Sequence, residues 1–173
     1  MDMLNDPAMK EIIDGFCEES LGFYTELEEA LETLEDDPAT YAVELEKFGQ
    51  IIDRVMGAAK SVGADEVASF SELGKVIGYK SSQVKDMAIV NVVIAILFDC
   101  VDLLRKMTQG IKAGNDHALK GLNTKAFCTR LKWLSDKFKD IERASCAMEK
   151  KDPEEVKELD QNSIDDLMAS LGL

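Results

Sequence analysis

The stretch "EKFGQIIDRVMGAAK", residues 46–60, separates side chains that can do chemistry from side chains that can only pack. Phe48, Ile52, Val55, Ala59 and Val62 recur at steps of four and three, the spacing of one buried helix stripe. Offset by two residues, about 200° around a helix, lie Glu46, Gln50, Asp53, Gly57 and Lys60. This second stripe is polar and is expected to face solvent. Its carboxylates accept hydrogen bonds, its ammonium donates them, and its amide does both. Gly57 is the odd member, because glycine costs about 1 kcal/mol relative to alanine inside a helix. Close approach by another molecule is one reason to keep it. A solvated face with an accidental glycine accounts for the same spacing.

Other chemistries find little support. The four cysteines, Cys17, Cys100, Cys128 and Cys146, make no Cys-x-x-Cys pair, and His117 is the single histidine. A zinc site is therefore not expected, and reduced, buried thiols in a cytoplasmic protein are. A net charge of −14, from 34 acids against 20 bases, argues against nucleic acid, which needs a basic face. An acidic chain more plausibly meets a basic patch on another protein. The N-terminal "MDMLNDPAMKEIIDG" is acidic and lacks the apolar segment of a signal peptide. The strongest apolar run, "MAIVNVVIAILF" at 87–98, is short of the roughly 20 residues that span a bilayer, so no membrane association is expected.

The elements that must carry these residues read as helices almost throughout. Proline is scarce, and apolar residues recur at threes and fours. Asp6-Pro7 opens a first helix with Met9, Ile13, Phe16, Phe23, Leu27, Ala30 and Leu34 on its seam. The same Asp-Pro start in "DDPATYAVELEKFGQ" opens a second, ending near Gly63. A third covers about 64–79, and an apolar fourth runs from Ser82 to about Ile111. A fifth spans about 124–149, with Phe127, Leu131, Leu134, Phe138 and Ile141 inward. The expected fold is all-α: an antiparallel four-helix bundle with an additional C-terminal helix, filling residues 1–149. Residues 150–161 read as a charged flexible linker, and 162–173 as a separate terminal peptide.

That peptide, within "QNSIDDLMASLGL", has its own logic. Ile164, Leu167, Met168 and Leu171 form an i, i+3, i+4, i+7 apolar face. Ser163 can cap it, Asp165 and Asp166 suit its positive end, and Gly172 suits its stop before Leu173. Each such side chain is worth roughly 1.5–3 kcal/mol when buried, and ordering a flexible segment takes back several kcal/mol. A weak anchor that folds on a partner is expected, standing clear of the bundle on its tether. A fraying helix packed on its own bundle is the other reading.

Two families are resembled. The run from "FCEESLGFYTELEEALETLEDDP" through "GADEVASFSELGKVIG" into "VVIAILFDCVDLLRKM", about residues 8–111, resembles a histidine phosphotransfer (HPt) domain like the first domain of the chemotaxis kinase CheA. That family's exposed histidine would fall on Asp53, its glycine on Gly57, and its lysine on Met56. Without the histidine, the phosphotransfer chemistry is lost while a docking face of Asp53, Gly57 and Lys60 remains. The terminal peptide is similar to the one by which CheZ phosphatases hold the response regulator CheY. In that resemblance Ile164, Asp165, Asp166, Leu167, Met168, Leu171 and Leu173 contact the regulator. "EKFGQIIDRVM" further resembles the CheZ active-site helix, where an acid and a glutamine stand four residues apart. Glu46 takes the place of the family's aspartate, one methylene longer.

The resemblance implies a cytoplasmic protein of chemotaxis and flagellar motility that dephosphorylates a CheY-type regulator. Gln50 would orient the attacking water and Glu46 would fix the docking. No cofactor of its own is implied, since Mg²⁺ belongs to the regulator, and whether the chain forms a homodimer stays open. A non-catalytic, histidine-less HPt-like adaptor that tethers the regulator through its tail is the alternative.

Overall fold

A computed structural model describes residues 3–115, 117–148 and 164–173. Six α-helices and no strand occur among them: α1 (Lys10–Asp36), α2 (Tyr41–Ser61), α3 (Asp65–Ser82), α4 (Met87–Lys112), α5 (Lys125–Met148) and α6 (Ile164–Ser170). Both Asp-Pro dipeptides do what their chemistry dictates. The Asp6 carboxylate accepts from the Ala8 N–H at 2.9 Å, and Asp37 accepts from Ala39 N–H at 3.2 Å. Each caps a 3₁₀ turn begun by proline, Pro7–Met9 or Pro38–Thr40, which leads into α1 or α2. Proline's fixed φ suits that first turn, and its missing N–H would have had no helical partner there.

The α3–α4 boundary differs from the sequence expectation. Helix α3 persists to Ser82, and α4 begins only at Met87, after Asp86 caps it by accepting from Ala88 N–H at 2.9 Å. The apolar pattern runs across this junction because Val84 is buried in the connection itself, so periodicity alone joins the two.

Helices α1 to α4 close a ring in which α1 packs on α2 and α4, and α3 packs on the same two. Cross-links fix the directions. Glu18 meets Lys112 at 3.4 Å and Glu28 meets Arg105 at 2.6 Å, so α1 and α4 run antiparallel. Helices α2 and α3 form an antiparallel hairpin turned at Gly63, whose φ of +73° favours glycine. The tightest surroundings of any glycine are those of Gly74, where an added Cβ would sit 3.0 Å from Ile52 Cδ1 and 3.1 Å from Cys100 Sγ. Three helices meet there, and any larger residue would require Ile52 and Cys100 to give way.

Helix α4 is the central element. Its 26 residues include an 18-residue stretch of mean hydropathy 2.3, long and apolar enough to cross a membrane by length and composition alone. In the protein it is a core helix, with Val90, Val93, Ile94, Ile96, Leu97, Cys100, Val101, Leu104 and Met107 buried. Beside it Tyr24 Oη and Thr108 Oγ1 share a hydrogen bond of 2.8 Å, and the Cys17 thiol donates to the Thr108 carbonyl. Cys17 and Cys100 are buried free thiols, and burial pushes both up from the ordinary cysteine value. The side chain of Cys146 lies outside the described residues.

Helix α5 packs on α4 with Phe127, Leu131, Leu134 and Phe138 buried. Arg130 pairs with Asp99 of α4, and Phe127 stacks at a tilt on Phe70 of α3, 5.3 Å between centroids. The connection before α5 is pinned where the Leu119 N–H donates to the Glu66 carboxylate at 2.8 Å. The charged segment read as a linker lies outside the described residues.

Candidate functional site

The two stripes of α2 divide as their spacing requires. Phe48, Ile52, Val55, Ala59 and Val62 are buried. Glu46, Gln50, Gly57 and Lys60 are exposed, and Asp53 is half-buried. Gln50 Nε2 donates to Glu46 Oε1 at 3.5 Å, one helical turn away. That length is the outer limit of a hydrogen bond, so the amide is easily exchanged to another acceptor. The Asp53 carboxylate is engaged by Lys75 of α3 at 2.8 Å, so it is oriented toward the next helix. Lys75 gives no signal in the sequence, because the pair spans the α2–α3 turn.

Above the stripe there is open space. A Cβ added to Gly49 or Gly57 would meet nothing within 4 Å, so neither glycine is needed for packing within the chain. The face is therefore a convex helix surface rather than a cleft. A concavity of about 380 Å³ lies elsewhere, lined by Glu35, Asn91, Ile94, Ala95, Phe98, Asp99 and Arg130. None of the stripe residues reaches it. An amide projecting from a convex face has no walls to hold a small substrate or to exclude water. It can act only by entering a site that another molecule supplies. No group of three or more potential ligand residues that could hold a metal ion occurs among the described residues.

The terminal peptide lies elsewhere than the tethered reading places it. Helix α6 packs on α3 and α5, with Ile164, Leu167 and Met168 only 2, 5 and 3% exposed. Leu171 and Leu173 pack partly buried against the same core. The Asp165 carboxylate accepts from Ser135 Oγ at 3.0 Å and pairs with Lys139, both on α5. The hydrogen bond from Lys139 holds this carboxyl below the usual aspartate value, against a desolvation that works the other way. Asp166 is exposed in the same first turn. The helix stops as its sequence demands: Gly172 has φ +71°, and the Leu173 N–H returns to the Met168 carbonyl at 2.9 Å. That is a Schellman closure. The cap assigned to Ser163 lies outside the described residues.

The structure thus brings Glu46 and Gln50 together and puts the apolar residues of the tail in one cluster. It also adds Ser135 and Lys139, which spacing could not have found. They lie about 30 residues from Asp165 in sequence and meet it only through folding. No protein-family model matches the chain, no curated protein matches it, and no solved structure matches it.

Proposed function

We propose that this chain is a CheZ-like phosphatase of an aspartyl-phosphorylated, CheY-type response regulator, built on an HPt-like bundle formed by α1 to α4. The observation that carries the reading is the exposed Glu46–Gln50 pair on a convex, unobstructed helix face. Such a regulator brings its own Mg²⁺ and lysine to the phosphoryl group, so a partner needs to supply only position. On docking, Gln50 Nε2 lets go of Glu46, and the amide's Oε1 accepts from one O–H of a water and aligns its oxygen behind phosphorus. The water oxygen bonds to phosphorus as the acyl-phosphate P–O bond breaks, leaving free carboxylate and inorganic phosphate. A glutamine orients water in the same manner in GTPases. Glu46, released from Gln50, pairs with a basic residue beside the regulator's site. Gly57 lets the two backbones approach, and the tail supplies additional affinity.

The test is a time course of regulator dephosphorylation with and without the protein. Gln50→Ala is expected to abolish most of the acceleration, roughly 100-fold, while binding persists, since only the positioning of water is lost. Glu46→Ala should weaken productive docking, a defect that excess regulator partly hides. Asp53→Ala, whose carboxylate is tied to Lys75, should matter less than either. A Gln50→Ala protein of normal activity would rule out the site. A wild-type protein that binds the regulator without hastening phosphate loss would make the chain a non-catalytic adaptor.

A further inference from the structure

We propose that the groove between α3 and α5 is a binding site for an amphipathic helix, filled in cis by α6, and that it competes with the regulator for that helix. The inference rests on the capture role given to the tail above. The face in question is a single one: Ile164, Leu167 and Met168 point into the groove together and are almost fully buried there. The groove reads polarity as well as shape, because Ser135 and Lys139 both engage the Asp165 carboxylate in the first turn of α6. One helix cannot present the same face to two partners at once. The docked form therefore withholds the residues that would capture the regulator.

Release does not require the bundle to open. Helix α5 is described to Met148, and α6 sits beside Ser135 and Lys139, about three turns back along it, or roughly 15 Å. The chain between 148 and 164 can reach roughly 50 Å when extended. The tail can thus leave the groove and still be held near its own bundle. The fraction of tails that are free sets the affinity: the apparent dissociation constant exceeds that of the same chain with its tail undocked by the inverse of that fraction.

The test uses the full chain and leaves the tail's own sequence untouched. Lys139→Glu turns an ion pair with Asp165 into a repulsion, and Ser135→Ala/Lys139→Glu removes both polar contacts. Amide hydrogen exchange over residues 164–173 reads release, and titration with the regulator reads capture. Both variants should exchange faster and bind the regulator more tightly by the same factor, about threefold or more. A synthetic peptide of residues 162–173 should bind the regulator by itself. Faster exchange with unaltered, finite affinity would overturn the competition alone. Exchange that stays slow in both variants would overturn the α5 groove as the site that holds the helix. A peptide with no affinity for the regulator would overturn the capture role itself, and the competition with it.

Discussion

Two glycines show how differently the same residue can be used. Gly57 sits in an exposed helix interior with nothing near its missing side chain, whereas Gly74 lies between Ile52 and Cys100. Gly57→Ala should raise stability by about 1 kcal/mol, moving the melting temperature up by about 2–4 °C. If the α2 stripe is a docking face, the same variant should bind the regulator less well, a stability gain coupled to a functional loss. An unchanged affinity would return Gly57 to the status of an accident. Gly74→Val should cost about 1–3 kcal/mol in urea unfolding, because two neighbours must move. The sequence makes Gly57 legible as an anomaly, since it is the one residue without a polar side chain in the stripe. It leaves Gly74 silent, because close approach between helices is a property of the fold and not of the spacing. Glu46 and Gln50 are legible for the opposite reason: one turn of one helix is enough to bring them together.

At the level of elements, five helices were readable because each buries one side, and burial imposes a period of three and four. The end of α3 and the start of α4 were not, because buried Val84 in the connection carries the apolar pattern through the break. The tail was readable as an amphipathic helix with a glycine stop, and its destination was not. Periodicity states that a face is apolar and says nothing about what covers it. The distinction changes a prediction. A free tail could be deleted without cost, but a docked one covers part of the α3 and α5 surfaces. Removing residues 162–173 should therefore lower the melting temperature by a few degrees and keep the helical content of α1 to α5. An unaltered melting temperature would place α6 off the bundle in solution. In α4, Ile94 is 4% exposed, and Ile94→Asp would bury an unpaired charge and unfold the domain, as read by circular dichroism.

For the molecule as a whole, the alkaline limb of stability is set by its core. Burial pushes the Tyr24 phenol up to about 12, partly offset by its hydrogen bond with Thr108. In the unfolded chain the phenol releases its proton near its ordinary value of about 10. Between those values the unfolded state binds fewer protons, so the phenol's contribution is complete below about pH 10 and is lost as pH rises toward 12, while the buried Cys17 and Cys100 thiols, also raised, begin the decline near the ordinary thiol value of about 8.5. Urea unfolding across a pH series should show that decline. Tyr24→Phe should lose about 1 kcal/mol at neutral pH and then surrender less of what remains above pH 10. The all-α class followed from composition and pattern. The ring of four helices with its two added elements needed the cross-chain pairs of Glu28, Tyr24 and Asp99 to be seen. The seating of α6 also bears on self-association. A groove that accepts its own tail across a long connection will accept a neighbour's identical tail, giving a reciprocally exchanged dimer. Covalent attachment gives the resident tail an effective concentration on the order of millimolar. Exchange between copies is therefore negligible at micromolar protein and becomes competitive only in very concentrated solution. Any dimer formed this way should relax to monomer on dilution as fast as α6 leaves its groove.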